Sequence, residues 1–192
     1  LVVSDDDGSY FASEGTSINE ITSALTKNSY LFSVWSESAY GRPSLSTLLQ
    51  FRLVIWTCGY YWNWAVDPTD ADTLMQYLNN GRSILLEGED VGLNHINDDF
   101  LTNVAHASLM IDDAGSSGLT VTELSHPICR DIPSSFGWMT DPLWEDGVAP
   151  INGGREIIRY KGASFSAVVT SGNGGSCSTV YISFPVGCLE EG

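Results

Sequence analysis

The chain has 192 residues, with Lys+Arg 8 against Asp+Glu 24, a formal net charge of −16, 43% hydrophobic residues and 11% aromatic residues. That length predicts a single domain, 1–192, with enough chain to bury a core of its own. The aromatic content excludes disorder, the shortage of Lys and Arg excludes nucleic acid and an anionic membrane surface as partners, and no apolar run approaches the roughly 20 residues that span a bilayer.

Strand-like and helix-like segments alternate along the chain. Leu1–Ser4 is a short strand that stops at the turn Asp5-Asp6-Asp7-Gly8. Thr16–Lys27 is predicted helical, because Ile18, Ile21 and Leu25 share a face and Ser17 with Glu20 has capping-box spacing. Tyr30–Trp35 is the next strand and Ser44–Gln50 a short helix after Pro43. Leu53–Thr57 is continuously apolar, as a strand buried on both faces would be. Pro68–Asn79 is a helix with Asp67 or Thr69 near its cap and Gly81 closing it. Ser83–Leu86 is another buried strand, Asp98–Val104 a short helix and His126–Asp131 a helical turn. Glu156–Tyr160 and Ser164–Thr170 read as paired strands, and Ser178–Phe184 as the last strand. The alternation predicts a three-layer α/β/α domain with a mostly parallel sheet and an antiparallel C-terminal extension.

Ligands of such sheets bind beyond the carboxyl ends of the strands. Three turns lie there: Asp5-Asp6-Asp7-Gly8, Thr57-Cys58-Gly59-Tyr60 and Glu87-Gly88-Glu89-Asp90. If the first and fourth strands are near neighbours, the acidic turns meet. Crowded carboxylates repel, and a hard cation relieves them, so Asp5, Asp6, Asp7, Glu89 and Asp90 are candidate ligands for calcium. Turn and cap preference explains the same residues without a metal, and EF-hand spacing is missing. Tyr60, Tyr61, Trp62, Asn63 and Trp64 follow the third strand and predict either a stacking platform for carbohydrate or a packed lid.

Other chemistries find less support. A phosphorelay receiver needs an Asp at the end of the third strand, where Trp56 and Thr57 stand. Cys58 follows a strand, but none of His95, His106 and His126 is an evident partner for a nucleophile. Ser125-His126 is contiguous, and no G-x-S-x-G elbow exists. Cys58, Cys129, Cys177 and Cys188 make an even count that suits disulfides. Cys177 and Cys188 flank the last strand, about 33 Å when extended, so they do not pair across it, and the connectivity stays open. Only Lys27 and Lys161 are lysines. An acidic, lysine-poor, Ser/Thr/Trp-rich composition predicts an extracellular or cell-surface setting, with the cytoplasm of a high-salt organism as the alternative. With no initiator Met and no signal peptide, the chain reads as a domain of a longer protein.

Several motifs carry a resemblance. Val54-Ile55-Trp56-Thr57-Cys58-Gly59, then Tyr77-Leu78-Asn79-Asn80-Gly81-Arg82 and Leu86-Glu87-Gly88-Glu89-Asp90-Val91-Gly92, resemble the class I glutamine amidotransferase-like superfamily. The opening Val2-Val3-Ser4-Asp5-Asp6-Asp7-Gly8, His106-Ala107-Ser108 through Asp112-Asp113, His126-Pro127-Ile128 and Val180-Tyr181-Ile182-Ser183-Phe184-Pro185 are similar to its accessory domains in secreted and cell-surface proteins, often beside peptidases. The resemblance implies a flavodoxin-like fold. It lays the catalytic Cys on Gly88 and the His-Pro-Glu run on Phe184-Pro185-Val186-Gly187, so the Cys-His-Glu apparatus is missing. It therefore implies a non-catalytic accessory or ligand-binding module, whose partners are neighbouring domains of the same polypeptide and a carbohydrate or peptide. Its candidate ligand-binding residues are Asp6, Asp7, Tyr60, Trp62, Glu87, Glu89, Asp90 and His106. The competing expectation is a hydrolase of carbohydrate or peptide working through Glu87, Glu89 and Asp90 with one of Asp5–Asp7.

Overall fold

The computed structural model describes residues 1–5, 17–64, 66–139, 144–172 and 178–189. Strand β1 (Val2–Ser4) pairs in parallel with β2 (Val34–Ser36) on one side and with β3 (Leu53–Thr57) on the other. Strand β3 pairs in parallel with β4 (Ser83–Glu87), and β4 with β11 (Thr179–Ile182). From β11 onward the sheet turns antiparallel through β10 (Ser166–Ser171), β9 (Arg155–Tyr160), β6 (Leu119–Val121) and β7 (Ser135–Phe136). A further antiparallel pair, β5 (Ala107–Ile111) with β8 (Gly147–Pro150), branches from β10. The result is a mixed α/β fold with one large sheet.

The buried run Val54, Ile55, Trp56 and Thr57 explains why β3 sits inside the parallel half. Helix α4 (Pro68–Asn79) starts where expected: the Asp67 carboxylate accepts the N–H groups of Thr69 at 2.7 Å and Asp70 at 3.1 Å. Asp67 is therefore the cap, and Pro68 supplies a preset φ at the first helical position. The chain leaves the helix through Gly81 at φ +72°. Leu74 and Tyr77 pack from α4 onto Val54, Trp56 and Leu86 in one core, and Leu119, Ile157, Tyr160, Val168 and Phe184 form a second.

Three local expectations change. Helix α1 (Ser17–Lys27) forms, but the Ser17 hydroxyl is drawn into tertiary contacts rather than a capping box with Glu20. The expected strand at Tyr30–Trp35 shortens and shifts to β2, leaving Leu31 exposed at the sheet edge. Strands β5, β6, β7 and β8 lie where no strand was expected. In β8, Gly147 and Pro150 disguise the pattern, since both are depleted in strand interiors. Short helices α2 (Glu37–Tyr40), α3 (Leu45–Leu48) and α5 (Val91–Asn94) and a π-helical turn, Leu101–Ala105, complete the elements used below. No helix among the described residues is long and apolar enough to cross a membrane.

Candidate functional site

The turn after β4 sits at the carboxyl edge of the parallel strands. Glu87, its first residue, is fully buried. It accepts the Ser17 hydroxyl at 3.3 Å, the Val186 N–H at 3.0 Å and the Thr57 hydroxyl. Burial pushes its carboxyl up to about 7 while these donors pull it back. Glu87 thus ties α1, β3, β4 and the chain after β11 together, and its oxygens are spent on that knot. The next residue, Gly88, has φ +150°, and a Cβ there would stand 2.6 Å from the Cys58 Cβ. The position that the resemblance gives to a catalytic Cys has no room for a side chain. The non-glycine residue held in left-handed backbone at this strand-to-helix turn is Asp90, at φ 55°, and an elbow of this kind projects its side chain above the sheet edge.

The single acidic pocket expected from the sequence does not assemble among the described residues. Strand β3 lies between β1 and β4, with Ser4 level with Thr57 and Thr57 level with Glu87. Two strand spacings separate the turns by about 10 Å. Asp5 instead accepts the indole N–H of Trp56 at 2.9 Å and meets Glu37 and Asp70, one carboxylate oxygen of each lying within 4.8 Å of the others. Arg42 donates to Asp70 and Asp67 and closes this first cluster. Burial pushes Asp5 up to about 9, Glu37 to about 7 and Asp70 to about 6, the last held down by Arg42. Asp6 and Asp7 lie outside the described residues. Glu89 is buried and its N–H donates to the Gly59 carbonyl at 3.1 Å. The hydrolase set of Glu87, Glu89, Asp90 and Asp5 is therefore divided: Asp5 joins one cluster, Asp90 another, and Glu87 is tied in the knot.

Asp90 opens onto a pocket of about 390 Å³ lined by Trp62, Asp90, Leu93, Asp112, Asp113 and Trp144. The antiparallel pair builds its far wall. Ile111 of β5 stands opposite Gly147 of β8, so Asp112 and Asp146, one residue further on each strand, become neighbours. Asp90, Asp112 and Asp146 each bring a carboxylate oxygen within 4.8 Å of the others. The Asp146 Oδ2 accepts the N–H groups of Gly92 at 2.7 Å and Leu93 at 3.2 Å, while its Oδ1 is buried without a hydrogen-bond partner among the described residues. Burial, then repulsion from Asp112 and Asp113, pushes Asp90 up to about 7. Burial, then repulsion from Asp90, pushes Asp146 up to about 8. No ion pair among the described residues reaches this second cluster.

Of the residues singled out from the sequence, Trp62 and Asp90 line this pocket. Tyr60 does not: it is buried in the second core. His106 lies at the start of β5, and that strand's five residues carry the chain about 16 Å before it reaches Asp112; its ring contacts the Asn152 carbonyl at 3.1 Å. His95 is a structural residue, fixed at 2.7 Å from both Asp98 and the Val66 carbonyl. Cys58, Cys129 and Cys188 are buried and no disulfide joins them to one another, while Cys177 lies outside the described residues. Burial pushes the Cys129 and Cys188 thiols up, the opposite of nucleophile activation. Sequence reasoning missed Asp112, Asp113, Trp144 and Asp146. The available signal was the acidic pair Asp112-Asp113 directly after an apolar run.

No protein-family model matches the chain, and no curated protein does. Solved structures share its fold. A cytoplasmic protein of Salmonella typhimurium matches with a TM-score of 0.64 at 11% identity, over 96% of this chain and 86% of that one. A protein of Bacteroides uniformis described as ThuA-like matches with a TM-score of 0.59 at 12% identity, over 96% and 81% of the two chains. A β-galactosidase of Bacillus circulans matches with a TM-score of 0.62 at 12% identity, over 97% of this chain but 28% of its own length. The ThuA-like neighbour has a class I glutamine amidotransferase-like fold, which the present chain shares. The extracellular or cell-surface setting expected from composition is corrected here: two structural neighbours from Salmonella typhimurium are described as cytoplasmic proteins.

Proposed function

We propose that the chain is a non-catalytic ligand-binding module that holds a carbohydrate in the pocket between Trp62 and Trp144. One observation carries this reading: two indoles and three carboxylates, with no Cys or His among the described residues, line a single pocket at the carboxyl edge of the sheet. Indole faces take the apolar faces of a sugar ring, and ionised carboxylates accept its hydroxyl protons. Gly88, with no space for a nucleophile, supports the absence of amidotransferase chemistry.

The module belongs, on this reading, with the accessory members of the amidotransferase-like superfamily in a flavodoxin-like, three-layer arrangement. The match to 28% of a β-galactosidase supports a module that works beside other domains of one polypeptide.

Tryptophan fluorescence and calorimetry with galactose, mannose, N-acetylglucosamine and short β-linked oligosaccharides test the proposal. Saturable binding is expected, weakened about tenfold or more by Trp62→Ala or Trp144→Ala. No binding to any of these at about 10 mM overturns the carbohydrate reading. Release of glutamate from glutamine, or turnover of nitrophenyl glycosides, overturns the non-catalytic one.

A further inference from the structure

We infer that Asp90, Asp112 and Asp146 hold a hard divalent cation of the calcium or magnesium class beside the Trp62–Trp144 pocket, which Asp90 and Asp112 line. The inference deepens the proposed function and rests on the same pocket, but it can fail separately. An acidic cluster alone would not carry it. The deciding feature is Asp146. Its side chain is fully buried, its Oδ2 is fixed by two backbone N–H groups of α5, and its Oδ1 is buried with no donor among the described residues. A buried carboxylate oxygen without a donor is costly unless a proton or a cation meets it.

The first cluster differs in having a cation of its own: Arg42 donates to Asp70 and the Trp56 indole to Asp5, although Glu37 Oε1 is also buried without a hydrogen-bond partner among the described residues. The second has no such group among the described residues, and three carboxylate oxygens within 4.8 Å of one another converge there. Oxygen-only donors select calcium or magnesium over zinc or copper. Three carboxylates leave several coordination positions for water, and the pocket of about 390 Å³ has room for it. A sugar hydroxyl could then complete the coordination shell, linking the cation to the proposed ligand.

The test uses the whole chain and the metal alone. Terbium stands in for calcium and is excited through nearby tryptophan, so Trp62 and Trp144 report on it. The expected result is saturable terbium luminescence displaced by calcium chloride, and a thermal midpoint raised by about 5 °C or more at saturating calcium relative to EDTA. Asp112→Asn changes an exposed side chain and should fold normally, yet weaken binding about tenfold or more. Asp146→Asn should do the same, while Asp70→Asn in the first cluster should not. No saturable signal in the folded wild-type chain overturns the inference. So does a signal that survives Asp112→Asn with Asp146→Asn, or one that disappears with Asp70→Asn. Saccharide titrations in EDTA and in calcium separate the two readings. Cation binding without any saccharide binding sinks the carbohydrate proposal alone. Saccharide binding in EDTA without cation binding sinks this one alone.

Discussion

Two carboxylate triads occupy one sheet edge, and only one of them has a cationic side chain beside it among the described residues. Asp5, Glu37 and Asp70 lie within 4.8 Å of one another, as do Asp90, Asp112 and Asp146. The first triad has a cation beside it: Arg42 bonds Asp70 and Asp67, and Trp56 donates to Asp5, while Glu37 Oε1 stays buried without a hydrogen-bond partner among the described residues. The second borders a pocket, is walled by Trp62 and Trp144, and leaves Asp146 Oδ1 without a donor. Charge crowding by itself therefore does not mark a functional site. What marks one is crowding that the chain's own cations leave uncompensated beside open space.

The largest expected effect is that of pH. Burial holds Asp5 at about 9, Asp146 at about 8, and Asp90 and Glu37 at about 7. The folded chain keeps protons that the unfolded chain gives up above about pH 4. Each group's contribution is complete below its unfolded pKa and is lost as pH rises through its folded pKa, so stability falls from pH 5 to pH 8. In EDTA the thermal midpoint should drop by on the order of 10 °C over that interval. Asp146→Asn should flatten part of the slope with the Arg42 cluster intact. A flat wild-type profile would end the comparison.

Gly92→Ala should come next. A Cβ there would sit 2.7 Å from Asp146 Oδ2, so the carboxylate must leave the two N–H groups that fix it. A loss of about 2 kcal/mol in urea unfolding is expected. An unchanged midpoint would mean that Asp146 is not anchored there.

Arg42→Gln should cost about 1–2 kcal/mol, because it leaves the buried Asp70 with a weaker donor while the guanidinium itself is partly exposed. The deficit should grow between pH 5 and pH 8, since the carboxyls it faces lose protons there. A deficit that shrinks toward pH 8 would contradict the role given to Arg42.

The smallest effect on stability belongs to Trp62→Ala. Its side chain is 54% exposed, so unfolding should move by about 0.5 kcal/mol or less. Ligand binding, if the pocket is the site, should nonetheless be lost. A stability change as large as that of Gly92→Ala would make Trp62 a packing residue.

Much of the frame was legible because its signals are local. Asp67-Pro68 marks the start of α4 through a cap and a preset φ, and the unbroken apolar run of β3 announces burial on both faces. The acidic turn after β4 was also legible, as was Trp62 beside the ligand edge. The glycine at position 88 was readable, and the structure shows what it accommodates, the close approach of the Cys58 Cβ. Tyr60 and His106 were not separable from Trp62 by residue type. Only the path of the chain buries the first and carries the second to the other end of β5.

The sequence by itself determined the element types in the parallel half and the acidic character of the strand ends. These depend on side-chain period, capping and residue identity. Tertiary structure alone decided which carboxylates meet. Strand order inserts β3 between β1 and β4 and so divides the acidic turns. Antiparallel register sets Ile111 against Gly147 and so brings Asp112 to Asp146. Register is a property of two distant segments at once, and no window of sequence contains it.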